Sequence, residues 1–397
     1  MSAQAEAATA PAAQKDDRRD GAWSPGKVGW TARIIVLVAI FGGVLYATSS
    51  APGYIADRIA LAAVWAIIGI SLNIVLGYVG QVSLGHHGFI GIGAFVAAYY
   101  ATEQAGCGET CPIGTFTTAT LLAILSGALA AGLLGLVALR IKGLYLALIT
   151  LAYGFMAEQA IFEIPALTRG GAGMPAPRPA GFVSDKAFAY LCFAILAVVL
   201  FIDWRLLKSK AGRAILSVKH SESVAASYGI NVTMYKIMAF VLSGVFAGLA
   251  GSLLAFRLEA VSANDFQFQT ALLWVLMVVV GGLGNRTGVV IGSAFFALFD
   301  TIIHWKPIEG FLTGLMDRSA DEIGEVSLVL GALLAVLTMV QFQGGIAEQI
   351  SPITRWLRGE KFSLHPEGHG KGEKHSPLAR FKRTKKDATA DGNGSVP

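Results

Sequence analysis

Charge is what this chain is short of. Only 14% of its 397 residues are Asp, Glu, Lys or Arg, against roughly 25% in soluble globular domains, while 54% are hydrophobic. A water-soluble fold is thereby excluded, and the chain reads as an integral membrane protein. Its apolar runs are long and unbroken instead of short and alternating, which predicts helices and excludes a β-barrel. Cysteine is scarce too, at three residues. Cys192 falls in an apolar run and reads as inert packing. Cys107 and Cys111 close a short loop, and the sequence leaves open whether they form a disulfide or stand as free or metal-poised thiols. No Walker A loop, HExxH or cluster of metal ligands occurs. The chain thus offers no ATP site, no metal site and no catalytic constellation. An enzyme is not expected, and any uphill work must draw its energy from another subunit.

What is present is a series of apolar stretches near Ile34–Thr48, Ile59–Gly77, Val82–Ala101, Thr117–Leu139, Leu144–Phe162, Phe188–Trp204, Ile237–Phe256, Ala271–Val280, Val289–Trp305 and Val326–Phe342. They predict an all-α polytopic membrane protein of about ten transmembrane helices. Arg140, Lys142, the Arg205–Lys219 cluster, Arg286 and both basic tails then share one side. Asp57, Glu103, Glu109, Glu163, Asp185, Glu259 and Asp265 share the other, with Glu309, Asp317, Asp321, Glu322 and Glu325. The Lys/Arg bias makes the first side, and both termini, cytoplasmic. Residues 1–30 read as a disordered cytoplasmic tail and not a cleaved signal, because Asp16, Asp17 and Asp20 precede the first apolar stretch. Residues 31–345 form the transmembrane domain, interrupted by a polar cytoplasmic loop at 205–235. Residues 346–397 form a basic cytoplasmic tail of open role, which a membrane surface explains without nucleic acid.

Two segments carry the chemistry. In the polar loop, Lys208, Lys210, Arg213 and Lys219 mark a cytoplasmic element. Glu222, Ala225, Ala226 and Gly229 follow at i, i+3, i+4 and i+7, on one predicted helical face with Gly229 as its terminator. In the second, from Leu72 to Tyr99, Gln81, Ser83, His86 and His87 alternate with six glycines inside a hydrophobic stretch. Polar groups at that depth face protein or water, and glycines allow a helix to break. Gln81, Ser83 and His86 are the candidates for a pathway lining, with interhelical packing the competing reading; for His87 packing or local exposure is favoured. Thr150 and Tyr153 are the polar positions of a third span, and Thr150 can satisfy itself on its own helix. Gly244 and Gly248, and Gly284, Gly288 and Gly292, recur every four residues and predict close helix seams.

These segments resemble the permease subunits of branched-chain amino acid ABC transporters. The resemblance rests on GRAI at Gly212–Ile215, Glu222, Ala225, GIN at Gly229–Asn231 and AFVLSGVFAGLAGSL at Ala239–Leu253. It extends to GQVSLGH at Gly80–His86, IKGLYLALITLAYGF at Ile141–Phe155, LTRGGAGMPAPRP at Leu167–Pro179 and the block Trp274–Phe296, and covers roughly Tyr54 to Gln343. His87, Arg169 and Ala172 depart from the family pattern, and the stretch from Val340 to Ile350 lacks the usual proline turn. The resemblance implies an ABC importer permease fold in a bacterial inner membrane. It implies a second permease, two cytoplasmic ATPase subunits that use the ATP, an extracytoplasmic solute-binding protein and surrounding membrane lipid as partners. It also implies that the segment Arg213–Gly229 is a helix seated on an ATPase, and that the loop Leu167–Pro179 lies where the binding protein delivers cargo; Arg169 and Arg178 are then candidates to dock acidic patches on that partner, with a turn-rich connector the competing reading. Branched-chain amino acids are the default cargo, with urea or short amides the alternative. An ion-coupled secondary transporter, the rival of another class, would need a carboxylate within the membrane; Glu158 and Asp300 come nearest.

Overall fold

The computed structural model describes residues 52–138, 143–169 and 173–303, with Gly43, Thr48, Ser49, Gly345 and Ile346. Helix α1, Gly53–Leu72, winds on as a π-helix through Asn73–Val79. Helix α2, His86–Tyr99, ends in a π-turn at Tyr100–Gln104, and α3 spans Ile113–Ala138. Helix α4, Leu144–Met156, likewise closes in a π-turn at Ala157–Ile161, and a short α5 spans Pro165–Thr168. Helix α6, Asp185–Lys208, leads into α7, Lys210–His220, and α8, Glu222–Ser227. The long α9, Val232–Leu258, is followed by α10, Phe268–Gly281, and α11, Arg286–Ile303. Two-residue strands β1, Met174–Pro175, and β2, Ala260–Val261, pair antiparallel.

Five segments are long and apolar enough to cross a membrane: Gly53–Val79, Ile113–Leu136, Asp185–Lys208, Val232–Leu258 and Ala263–Gly281. Tyr145–Ile161 and Arg286–Phe299 are shorter apolar helices. The expected ten thus stand at five among the described residues; Val326–Phe342 and most of Ile34–Thr48 lie outside them.

Helix α3 shows why the bundle needs lipid. Leu121, Leu125, Leu129, Leu133 and Leu136 are each more than half exposed, whereas Ala119, Ala123 and Ala131 are buried. Its large side chains face out and its small ones face in, the reverse of a soluble helix. In hydrocarbon this costs nothing, because lipid is as apolar as leucine and small residues permit close backbone approach.

The loops at one end form a lid. Cys107 and Cys111 are joined as a disulfide, which settles the question the sequence left open. The Cys111 N–H donates to the Arg178 carbonyl at 3.0 Å, and Ala180 N–H donates to the Cys111 carbonyl at 2.6 Å. Strand pairing of Met174 with Val261 ties the same loop to the end of α9. Arg178 holds the lid electrostatically: it reaches Asp185 at 2.7 Å, Glu259 at 3.0 Å and Asp57 at 3.8 Å. Arg257 takes the other Asp57 oxygen at 2.5 Å. We call this end the acidic face. The expectation that Arg178 docks a partner is corrected here, since its side chain is only 9% exposed and already engaged. Arg169, the other candidate, pairs with Glu103. The ends of α6 and α9 that flank 209–231 define the opposite, basic face.

Removing one member of a buried ion-pair group leaves the others uncompensated. Arg178→Ala should therefore lower stability by about 3–5 kcal/mol, measured as denaturant-induced unfolding in detergent. Arg169→Ala, whose pair is solvent-exposed, should change it by less than about 1 kcal/mol.

Candidate translocation and coupling site

The polar centre of the bundle sits where α1, α2 and α9 cross. Ser71 Oγ lies 2.7 Å from His86 Nε2 and donates to the Ser243 carbonyl at 2.7 Å. Ser243 Oγ returns a bond to the Ser71 carbonyl at 2.8 Å. All three residues are at most 1% exposed. The sequence singled out His86 but neither serine, because each stands in an apolar helix and only the crossing brings them together.

Between α1 and α2 the backbone leaves helical geometry at 80–85. Gly80 adopts φ +77°, a left-handed conformation that ends the π-helix without a Cβ penalty. Thr150 Oγ1 accepts from Leu84 N–H at 3.0 Å and donates to its own helix at Ala147, so it both satisfies itself and braces the break. Gly85 is required at the entrance to α2, since a Cβ there would overlap the Thr150 carbonyl. Gln81 and Ser83 are buried, and Gln81 Oε1 and Ser83 Oγ have no hydrogen-bond partner among the described residues. Polar atoms so placed are costly unless water or a solute serves them. His87 is fully buried against Gly154 and the Phe268 ring, so packing, not exposure, describes it.

A second polar group ties this break to the basic face. Asp203 is fully buried; it accepts from Tyr78 Oη at 3.2 Å and faces Arg286 Nε at 3.3 Å. The sequence named Glu158 and Asp300 as the carboxylates nearest the membrane interior and passed over Asp203, because it falls at the end of the apolar stretch Phe188–Trp204. Asn73 Oδ1 accepts from Gly284 N–H at 2.8 Å, and Lys219 Nζ donates to the Gly77 carbonyl at 2.7 Å. The π-helical end of α1 is thus held by α6, α7 and the turn before α11. That turn corrects one expectation: Gly284 has φ +82° and stands outside the helical repeat of Gly288 and Gly292. Those two pack on Met277 and Gly281 of α10, while Gly244 and Gly248 pack on Ala123, Gly127 and Ala131 of α3.

The loop expected as one helix from Arg213 to Gly229 is two. Ser221, extended at φ −163°, breaks it and caps α8 by accepting from Val224 N–H. Gly229 at φ +78° lies just past the end of α8. Arg213 is exposed, and its guanidinium donates to the Lys208 carbonyl at 3.1 Å. The predicted common face also divides: Ala225 is buried, Ala226 and Gly229 are exposed, and Glu222 accepts from the buried Lys236 at 2.5 Å. The outward surface is instead Val224 at 53%, Tyr228 at 81% and Met234 at 63% exposed.

The family model for the permease component of branched-chain amino acid transport systems matches residues 54–340. The chain belongs to this family. It is 31% identical over 270 residues to the high-affinity branched-chain amino acid permease protein LivM of Salmonella typhimurium, covering 61% of this chain and 62% of that one. LivM of Escherichia coli K12 is 32% identical over 265 residues, covering 60% of each. A probable LivM of Methanocaldococcus jannaschii is 23% identical over 288 residues, covering 62% and 81%. The chain thus spans about three fifths of the length of the first two relatives. No solved structure matches. This permease family is one of transport components and not of enzymes, and the chain is a multi-pass membrane protein.

In the permease, Ser71→Ala should strand the groups its hydroxyl serves and cost about 1–3 kcal/mol. Gly85→Ala should cost more, because backbone and not a side chain must move. Thermal unfolding of the purified variants checks both, and the ranking is the test.

Proposed function

We propose that this chain is one of two permease subunits of an ATP-driven importer, most plainly for branched-chain amino acids. The carrying observation is the basic-face surface of Val224, Tyr228 and Met234: exposed and apolar, formed by α8, the residue that caps its end and the first turn of α9. It suits a cytoplasmic ATPase subunit. The disulfide at the opposite end supports an extracytoplasmic acidic face, since disulfides persist in oxidising compartments; with the ten spans the sequence predicts, both termini would be cytoplasmic. A soluble binding protein would deliver cargo to that face. Residues 1–30 and 346–397 flank the transmembrane domain as tails.

Movement of the ATPases would reach the membrane through α7. Lys219 grips the Gly77 carbonyl, so displacement of α7 pulls on the end of α1 and on the break at 80–85. Gln81, Ser83 and His86 border that break and are the lining we assign to the pathway. Cargo choice would rest with the binding protein, and urea or short amides are the alternative cargo.

The test is uptake of labelled leucine, urea and acetamide into proteoliposomes holding the co-purified complex. Uptake that needs both ATP and the binding protein is expected; uptake by this chain alone on an ion gradient would refute the reading. Tyr228→Asp with Met234→Asp should abolish co-purification of the ATPase. Lys219→Gln should preserve co-purification yet lower uptake per ATP roughly tenfold, as loss of a charged hydrogen bond of about 1.5 kcal/mol implies.

A further inference from the structure

On the basic face a cavity of about 490 Å³ opens between α6 and α9, lined by Ile202, Arg205, Leu206, Lys208, Ser209 and Leu242. Its lining shares no residue with the polar centre. Its lining divides by chemistry. Ile202, Leu206 and Leu242 make an apolar floor, and Arg205 and Lys208 stand at the rim. Neither cation has a carboxylate partner among the described residues: Asp203, the nearest acid in sequence, is buried and engaged by Arg286 and Tyr78. The Lys208 ammonium rests 4.1 Å from the centre of the Trp204 ring.

Ser209 completes the rim as the N-cap of α7, its Oγ accepting from Gly212 N–H at 3.1 Å. The first-turn N–H groups of Lys210 and Ala211 have no intrahelical acceptor, and a helix start of this kind favours an anion. Phe201 and Trp204 are exposed beside it, at 59% and 38%; aromatic rings of this kind gather at the depth of lipid headgroups. Two cations with no carboxylate partner among the described residues and a helix N-terminus above a hydrocarbon floor match a phosphate ester that carries an acyl chain.

We propose that this groove seats one anionic phospholipid, its phosphate on Arg205, Lys208 and the first turn of α7, its acyl chain along Ile202, Leu206 and Leu242. The seat joins the end of a membrane helix to the head of the coupling segment, so an occupied groove sets the angle between α6 and α7. Binding of the lipid stands independently of the coupling role; its effect on uptake rests on that role.

The experiment measures phosphatidylglycerol and phosphatidylcholine retained by the purified full-length complex, by lipid extraction and native mass spectrometry. Arg205→Gln with Lys208→Gln should lower retained phosphatidylglycerol roughly tenfold or more and leave phosphatidylcholine unchanged. Arg205→Lys with Lys208→Arg should preserve it, and Ile202→Trp, which fills the floor with both charges intact, should lose it. Equal retention by the wild type, the double Gln variant and Ile202→Trp would overturn the site. Displacement of the lipid by excess inorganic phosphate would also overturn it, by assigning the rim to a soluble anion. A loss of lipid retention with unchanged uptake would uphold the site while removing its link to coupling.

Discussion

Helices in lipid gain little by hiding apolar surface from one another, so a bundle must be held by close van der Waals contact and by polar groups that find each other inside. In this chain that constraint falls on α9. Its Gly244, Gly248 and Gly251 let the backbone settle against Gly127 and Ala123 of α3 and against Ile90 and Ala94 of α2. A side chain at any of them would meet backbone atoms, not the movable end of a side chain. On the same helix, Ser243 exchanges hydrogen bonds with Ser71 of α1 and so joins the polar centre. The seam depends on the absence of Cβ atoms.

The same constraint explains where the backbone departs from helix. Non-helical backbone at membrane depth survives only when other groups serve its N–H and C=O. At 80–85 that service comes from Thr150, which takes the Leu84 N–H, and from the Val75 carbonyl, which takes the Gln81 N–H. At the turn before α11 it comes from Asn73. Each break is braced by a polar side chain from another helix, so each can move only if that helix moves with it.

Much of this was legible in the sequence for one physical reason: lipid imposes a composition, and composition survives without an alignment. The apolar stretches, the Gly-rich break after Gly77, the terminator at Gly229 and the asymmetry of charge all follow from local rules. What depended on pairing over long separations was not legible. Asp203 reads as a span end until Arg286 and Tyr78 enclose it. Arg178 reads as a free loop cation until Asp57, Asp185 and Glu259 converge from three elements. Gly284 keeps a four-residue repeat in sequence, yet its left-handed φ takes it out of the helix. The split at Ser221 was equally hidden, because a serine that caps and a serine within a helix are alike in composition.

The two faces are built for different duties. On the acidic face a covalent link, a strand pair and ion pairs from Arg178 join three loops, so no one of them can swing alone. On the basic face the π-helical end of α1 is held by single hydrogen bonds from Lys219 and Asn73, and by Tyr78 through Asp203. Single bonds of that kind contribute about 0.5–3 kcal/mol each, so a rotation of α7 or α11 has fewer contacts to break there than a movement of the lid would. With several links at one end and single contacts at the other, the basic end is the more readily rearranged of the two. A load placed on α8 would therefore reach the break at 80–85 before it disturbs the lid.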